Sequence, residues 1–230
     1  MADLEVLDRE RHARLRLGKP TPPAQSFVQI VPDEIAEAAA RAPLFFTKDS
    51  STGQFYVGAM FGFKEGENLL QDSMGRVSGF VPLDVIRQGF FISGEHIAID
   101  PADPRFTSGE GEPLFQDDGQ PSDRLRQIQY ALGRAHRGIE ESRRFIAAMM
   151  KLRLIEPVDI SLRFDDGETV TLLGLYTISL DALQELDDAQ ALALFRNGDL
   201  QMAFAIAQSL RLVPALAEQR NRRLCDLTPA

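Results

Sequence analysis

The stretch LFFTKDSSTGQFYVGAMFGFKEGENLL, from Leu44 to Leu70, decides how the central part of the chain folds. Its first residues predict a short strand, SSTG predicts a turn, and QFYVGAMFGF predicts an aromatic-rich partner strand. The resulting hairpin carries Lys48 and Asp49 at its end. Lysine at a strand end is typical of a protected sheet edge, and Gly-Glu-Asn at 66–68 is typical of a turn. Two interpretations stay open: a hairpin with polar ends, or a constellation of functional side chains.

The segments on both sides of this hairpin continue the pattern. Upstream, SFVQIV predicts a strand, and PDEIAEAAARAP predicts a helix with a proline in its first turn. Downstream, KEGENLL and DSMGRVSG predict turns, and FVPLDVIRQGFFI predicts a short helix followed by a strand. That strand and HIAID, at 96–100, form a second predicted hairpin.

The C-terminal half predicts one long hairpin and several helices. ISLRF and TVTLLGLYTI flank an Asp-Asp-Gly-Glu turn, which is a strong hairpin signal. Apolar residues recur at helical spacing from about residue 122, and Gly138 is predicted to break that helix. Ser179, and either Asp187 or Asp188, predict N-caps, and Asn197-Gly198 predicts a left-handed cap at a helix C-terminus.

The sequence therefore predicts an α+β fold with a mostly antiparallel sheet. Its hairpins lie in residues 26–100 and 158–178, and they pack against helices from 122–153 and 179–213. At 230 residues the chain suits one compact domain, which we place at 26–215. A mobile N-terminal arm is predicted over 1–25, ending in the extended linker KPTPPAQ, and a frayed C-terminal tail over 216–230.

Composition and charge limit the classes of function. The net charge of −9 and the pI of about 4.9 disfavour binding to nucleic acid. The only cysteine, Cys225, excludes an intramolecular disulfide and a thiolate metal cluster. The N-terminus lacks the apolar centre of a secretory signal, and apolar runs such as FIAAMM and MAFAIA are short. We expect a cytoplasmic protein without a membrane span, and export without a cleaved signal stays open.

No catalytic or cofactor motif stands out. The three histidines, His12, His96 and His136, lack metal-ligand spacing, and the glycines match neither a nucleophile elbow nor a phosphate-binding loop. We therefore predict no cofactor and no metal. One cryptic site stays open as an alternative, because an alternating strand places His96 and Asp100 on one face, and these with Glu67 have acid–base chemistry.

Four stretches resemble hallmark segments of the SapC family of bacterial proteins, in the same order and at similar spacing. They are the opening stretch, GFVPLDVIRQGFF, GEPLFQDDGQPSDRL and GLYTISLDALQELDDAQALALFRNGDLQMAFAIAQSL. The resemblance covers roughly residues 25–215. Family members often carry Arg-x-x-Pro-Phe or a similar basic turn where this chain has Arg87-Gln88-Gly89-Phe90, so a role for a second basic residue does not carry over.

The resemblance implies a biological setting and not a reaction. The family takes its name from a link to the paracrystalline surface layer of a pathogen. Its relatives are often found near genes for outer-membrane nutrient receptors and flavin-dependent halogenase-like proteins. An unrelated peptide-transport permease shares the name, but the short apolar runs do not fit a permease. No catalytic residue is carried over from the family.

We therefore predict a soluble, non-enzymatic binding or accessory protein, linked by resemblance to surface-layer or outer-membrane nutrient-uptake systems. Its partner is a protein or a small ligand, and homo-oligomerisation stays open. The candidate binding residues lie where several turns are expected to converge: Lys48, Asp49, Glu67, Asn68 and Arg87. The first alternative is an enzyme, or an accessory subunit of an enzyme such as a flavin-dependent halogenase-like protein, that uses the cryptic site. The second is a self-assembling surface component.

Overall fold

The computed structural model of the chain describes residues 4–18, 25–71, 79–107 and 109–227. The chain falls into two compact units, which we call unit 1 (Met1–Pro23 and Leu83–Arg137) and unit 2 (Ala24–Pro82 and Gly138–Ala230). Most of the predicted proline-rich linker, at 19–24, and most of the predicted turn DSMGRVSG, at 72–78, lie outside the described residues.

Strands and helices both contribute to the described residues, with 39% helix and 25% strand. The strands are β1 (Glu5–Val6), β2 (Arg16–Leu17), β3 (Phe27–Ile30), β4 (Leu44–Lys48), β5 (Phe55–Met60), β6 (Phe90–Ser93), β7 (His96–Ile99), β8 (Phe106–Thr107), β9 (Glu112–Pro113), β10 (Ile155–Arg163) and β11 (Thr169–Ile178). The helices are α1 (Ile35–Ala39), α2 (Leu83–Ile86), α3 (Asp123–Lys151), α4 (Leu180–Gln184), α5 (Asp188–Arg196), α6 (Asp199–Ser209) and α7 (Val213–Leu227). All strand pairs are antiparallel, so the predicted α+β class is confirmed.

Unit 2 is built on a five-stranded sheet with the order β10-β11-β4-β5-β3. The β4–β5 pair places Lys48 opposite Phe55, which confirms the hairpin predicted from the opening stretch. The β10–β11 pair confirms the second long hairpin, and Gly167 adopts a φ of 83° in its turn. Glycine suits that position because left-handed backbone angles are strained for residues with a Cβ.

The helices of unit 2 begin at the predicted capping residues. The Ser179 hydroxyl accepts a hydrogen bond from the Ala182 N–H and caps α4. Asp187 caps α5 in a reciprocal arrangement with Gln190, which resolves the choice between the two neighbouring aspartates. Gly198 follows α5 with a φ of 77°, so the predicted left-handed cap is also confirmed.

Helices cover both faces of this sheet. Phe45 and Phe46 are adjacent in β4 and both fully buried, and side chains alternate along a strand, so the two rings face opposite sides. Phe45 lies in a buried cluster with Val213 and Leu216 of α7. Phe46 stacks on Phe145 of α3, with ring centroids 6.1 Å apart. The hairpin that decides the fold therefore supplies a core residue to each face.

The long helix α3 is continuous through Gly138, so the predicted break there is wrong. A Cβ at this position would lie 2.4 Å from the Cβ of Val31, far inside normal contact. The glycine therefore serves close packing and not chain reversal, because its missing side chain admits Val31. Residues 123–137 of α3 belong to unit 1 and residues 138–151 to unit 2.

Unit 1 contains two small sheets, with the orders β1-β7-β6 and β8-β2-β9. The β6–β7 pair confirms the hairpin predicted between GFFIS and HIAID. Its core is formed by strand residues and by the first half of α3: Leu17, Phe90, Ile99, Leu114, Leu125, Ile128 and Leu132. Apolar residues at helical spacing in α3 thus bury one face, as predicted.

The two ends of the chain also form regular structure. Residues 1–25, predicted as a mobile arm, contribute β1 and β2 to unit 1, and Leu17 is only 2% exposed. At the other end, α7 runs through most of the predicted tail to Leu227. The mobility of both ends, and a single domain over 26–215, stay predictions.

The stretch Asp199–Cys225 is long and apolar enough, by length and composition alone, to cross a membrane. The sequence analysis counted only uninterrupted apolar runs and missed it. The core helix of a soluble protein, which is mostly buried, passes the same test, whereas 28% of the apolar window is buried here. Here the stretch spans α6 and much of α7, and it supplies Ala203, Ile206 and Val213 to the buried core. The absence of a membrane span stays a prediction.

Candidate ligand-binding site

The Lys48 ammonium lies at the end of the β4–β5 hairpin against two aromatic rings. Its Nζ is 5.0 Å from the ring centroid of Phe55 and 5.5 Å from that of Tyr176. The two rings meet edge to face, with centroids 4.9 Å apart. Lys48 is exposed and forms no ion pair with any described residue. An exposed cation–π contact contributes about 0.5–1 kcal/mol, so the rings orient a cation that solvent still reaches.

Asp49, the next residue, is bound within its own turn. Its Oδ1 accepts hydrogen bonds from the backbone N–H and the hydroxyl of both Ser51 and Thr52. These bonds, led by the one from the Ser51 hydroxyl, lower the pKa of Asp49 to about 2. The carboxylate therefore stabilises the hairpin turn, and the ammonium of Lys48 does not depend on it.

The second predicted polar turn, KEGEN at 64–68, is held to α7 by two arginines. Glu67 Oε2 accepts a hydrogen bond of 2.7 Å from the Phe63 N–H, and its Oε1 lies 3.3 Å from Arg220 Nε. The Asn68 carbonyl accepts a hydrogen bond of 2.8 Å from Arg223 Nη1. Its side-chain Oδ1 accepts from the Leu70 N–H at 3.0 Å. Both predicted residues thus fix the turn, Glu67 through its side chain and Asn68 also through its backbone.

Arg220 is the centre of a group of four charges that we call the Arg220 clamp: Lys64, Glu67, Glu168 and Arg220. The arginine side chain is only 5% exposed, and its Nη2 lies 2.7 Å from Glu168 Oε2. Lys64 Nζ reaches the same carboxylate oxygen at 2.5 Å. Hydrogen bonds from Lys64 and then from Arg220 lower the pKa of Glu168. The clamp ties the KEGEN turn, the β10–β11 turn and α7 together.

The Arg220 guanidinium also covers an aromatic pair in this clamp. Its carbon atom lies 4.0 Å from the ring centroid of Phe164, and the rings of Phe164 and Phe63 are 5.4 Å apart. Arginine suits this position because its planar group stacks on a ring while its edge donates to carboxylates. Lysine would lose one of the two contacts.

A cleft of about 400 Å³, which we call the α7 cleft, lies beside the clamp. Seven of its lining residues are apolar and two are polar, and they are Ala40, Arg41, Pro43, Leu69, Leu70, Leu212, Ala215, Leu216 and Gln219. One wall contains Leu69 and Leu70, which directly follow the KEGEN turn in sequence. The facing wall contains residues of α7 and of the turn before it: Leu212, Ala215, Leu216 and Gln219. Because the clamp binds that turn to α7, it also fixes the distance between the two walls.

Arg41 provides the only formal charge among these lining residues. It follows the C-terminus of α1, and its backbone N–H donates to the Ala38 carbonyl. The residue is exposed, and it has no hydrogen bond from its side chain and no ion pair among the described residues. Glu37, one helical turn earlier, forms no ion pair with it. The cleft therefore combines apolar residues with one guanidinium that forms no hydrogen bond or ion pair with the described residues.

Unit 1 has a second cleft, of about 450 Å³, whose lining residues are mainly polar or charged by type. Leu17 is the only large apolar residue in its lining, and Glu112, Asp123 and Arg124 are charged. Small-molecule sites are typically apolar with a few polar groups and measure roughly 300–1,000 Å³. Both clefts have that size, and the α7 cleft has the larger share of apolar residue types in its lining.

The five predicted binding residues do not form one group. Lys48 lies beside the start of β5 and Glu67 contacts the segment just after its end, so the six residues of β5 separate them. At roughly 3.3 Å per residue this is about 20 Å. Arg87 belongs to unit 1, where it pairs with Asp84 and donates to the Phe90 carbonyl. Whether any of the five binds a partner stays a prediction.

The residues of the cryptic catalytic alternative have separate local roles. His96 is exposed at the start of β7, opposite Ser93. Asp100 Oδ1 accepts a hydrogen bond from the Ala102 N–H in the following turn. No hydrogen bond joins His96 to Asp100 in the part of the chain that the structure describes. Within the same residues, no group of three or more His, Cys, Asp or Glu side chains is placed to hold a metal ion.

Arg41, Arg220 and Arg223 are not among the residues predicted from the sequence. The sequence pattern places Arg41 at the end of a predicted helix and residues 216–230 in a predicted frayed tail. One signal was present, because apolar residues recur at Val213, Leu216 and Leu224 between basic and amide residues, as in an amphipathic helix.

The fold defines the class: an α+β protein with antiparallel sheets packed against helices. The SapC family model matches residues 7–216, which is most of the chain. The chain therefore belongs to the SapC family. The matched range includes Arg41, Glu67 and Glu168 and ends before Arg220. No curated protein and no solved structure matches the chain.

Proposed function

We propose that this SapC-family chain is a non-enzymatic binding or accessory protein that holds a small ligand in the α7 cleft. The observation that carries the proposal is the lining itself: seven apolar residues with one guanidinium and one amide as the polar groups. Such a wall favours transfer of apolar groups out of water and orients them with few polar contacts. A guanidinium stays protonated and a glutamine does not titrate, so neither serves as a general base.

Lys48 is proposed as a second binding element, for an acidic group on a partner protein. Its ammonium is oriented by two rings before binding, which reduces the entropy lost when a partner pairs with it. Replacement by alanine should weaken capture of such a partner. Lys151, at the end of α3, gives a matched control, because it is also an exposed lysine. Equal capture by wild type, Lys48→Ala and Lys151→Ala would remove this element from the proposal.

The cellular setting belongs to the same proposal. Family resemblance supports a link to surface-layer or outer-membrane nutrient uptake, and a cytoplasmic location is part of the proposal. An enzymatic role is not proposed, because no observed contact joins the residues that it would need.

The test is native mass spectrometry of the full chain purified under mild conditions from its own cells. Ala215 is exposed and lines the cleft, so Ala215→Phe should fill the space without disturbing the core. Ala147→Phe, at an exposed alanine of α3 outside the cleft, is the matched control. We expect a bound small molecule on the wild type and on Ala147→Phe, and its loss from Ala215→Phe. An empty wild type, or equal occupancy of all three, contradicts the proposal.

A further inference from the structure

We propose that the ligand of the α7 cleft is an amphiphile: one anionic head group, bound by Arg41, on an apolar tail that covers the leucines. This inference rests on the proposed binding function and names the chemical class of its ligand. It joins two features of one cleft, its uncompensated positive charge and its apolar walls.

The lining of the cleft carries one formal positive charge, on Arg41. The whole chain carries a net charge of −9, yet Arg41 is the single charged lining residue. Some exposed arginines pair with nearby acids, for example Arg143 with Glu140 and Arg222 with Glu218, whereas others, such as Arg163 and Arg196, form no ion pair with a described residue. Arg41 has no such partner among the described residues. A cationic ligand would be repelled here, and an anionic one would gain contacts that no described residue makes with Arg41.

The planar guanidinium of Arg41 suits an anion with two oxygens. Its five N–H donors lie in one plane and match the two oxygens of a carboxylate, or two oxygens of a sulfate or phosphate, in a bidentate pair. The backbone after α1 places Arg41 on the solvent side, while Pro43 beside it is buried. The head group is therefore expected at the mouth of the cleft, where it keeps part of its hydration.

Leucine and other apolar residues form most of the lining around Arg41. Leu69 and Leu216 are 2% and 4% exposed, and Leu70 and Leu212 are half-buried beside them. Leu69 and Leu216 have almost no exposed surface, so a tail in the cleft would remove apolar surface from water mainly at Leu70, Leu212 and Ala215, at roughly 25 cal/mol per Å². Gln219 is the remaining polar lining group, and it is neutral. The site thus offers pairing for one negative charge and apolar contact for the rest.

Four probes with the same ten-carbon tail test the inference by isothermal titration calorimetry on the full chain: decanoate, decyl sulfate, decanol and decyltrimethylammonium. We expect decanoate and decyl sulfate to bind about tenfold more tightly than decanol, as one charge-assisted pair predicts, and the cation to bind least. The comparison of the two anions distinguishes a carboxylate from a sulfate-like head group. Raising the salt concentration should weaken the anions and not decanol.

Two variants assign the charge effect to its residue. Arg41→Gln should reduce the affinity for decanoate about tenfold and leave decanol within twofold. Arg211→Gln is the matched control, because Arg211 is exposed next to Leu212 and does not line the cleft. Neither arginine forms an ion pair with a described residue, so both variants should unfold at the wild-type temperature.

The possible failures are distinct. If decanol binds as tightly as decanoate, or if Arg41→Gln leaves decanoate unaffected, the anionic class is wrong and the binding function survives. If no probe binds although the purified protein carries a small molecule that Ala215→Phe loses, the amphiphile is wrong and the cleft remains a binding site. If the purified protein is also empty, the proposed function fails as well.

Discussion

Removing the charge of Arg220 tests whether the clamp holds the turn and α7 together. The side chain is 5% exposed, it contacts two carboxylates, and Glu67 beside it is 20% exposed. Arg220→Met keeps an unbranched apolar side chain over the Phe164 ring and removes every hydrogen bond of the guanidinium. What changes is therefore the ion pairing and not the bulk of the packing.

The expected magnitude follows from burial. Removing one partner of a buried ion pair costs about 3–5 kcal/mol, and an exposed pair contributes about 0–1 kcal/mol. Glu67 keeps the hydrogen bond from the Phe63 N–H but would lose its counter-charge in a mostly buried position. We therefore expect Arg220→Met to lower the free energy of unfolding by about 2–3 kcal/mol.

A double-mutant cycle with Glu67→Gln isolates the pair. Urea unfolding followed by circular dichroism gives the free energies of wild type, Arg220→Met, Glu67→Gln and the double variant. We expect the double variant to lose at least 1 kcal/mol less than the sum of the single losses, because either change alone leaves an unpaired group. Additive losses, within about 0.5 kcal/mol, would show that the two residues do not interact.

The same helix provides the control. Arg222 pairs with Glu218 at 2.6 Å, but both side chains are about two-thirds exposed. Arg222→Met should change the free energy of unfolding by no more than about 0.5 kcal/mol, because exposed helical pairs are screened by water. A loss from Arg222→Met as large as that from Arg220→Met would refute the argument from burial.

Three further predictions rest on single contacts. Gly138→Ala should lower the free energy of unfolding, measured with urea, by about 1–3 kcal/mol, because the added Cβ collides with a packed valine. Gly133→Ala, in open surroundings, should raise it by up to about 1 kcal/mol. Equal effects of the two substitutions would contradict this packing. The folded pKa of Asp49, about 2, lies below its ordinary value of 3.8, so its contribution is present above pH 3.8 and lost as the pH falls to about 2. Asp49→Asn should therefore flatten the fall of the urea midpoint over that interval, and an unchanged slope would contradict the turn's role. Arg144→Met removes an ion pair with two hydrogen bonds to a buried aspartate and should lower the free energy of unfolding by about 2 kcal/mol. Arg143→Met, beside it, should lower it by only about 0–0.5 kcal/mol. Indistinguishable thermal melting curves of the two variants would contradict this difference.

Local signals in the sequence were sufficient for most of the hairpins and caps. Asp-Gly and Ser-Thr-Gly turns lie between β-rich segments, and a capping residue such as Ser179 satisfies backbone donors only one turn away. These interactions span few residues, so one sequence contains both partners. Gly138 shows the limit of such reasoning, because its role depends on Val31, which is distant in sequence and lies against it only in the folded chain.

The candidate site was beyond the reach of local reasoning for the same reason. Glu67 and Asn68 looked like turn residues, and they are, but their partners lie about 150 residues away in α7. The prediction that several turns converge at one site requires all of these chain reversals to lie at one end of the sheet. Antiparallel strands place successive turns at opposite ends, so the turns before and after β5 had to separate Lys48 from Glu67. Strand order alone does not bring Glu67 and Glu168 together. Because β11 runs antiparallel to β4, the β10–β11 turn joins the sheet at the same end as the β4–β5 turn, whereas Glu67 follows the opposite end of β5. The two carboxylates meet at Arg220 of α7, so a search for a site in this sheet needs the terminal helix as well as the strand register.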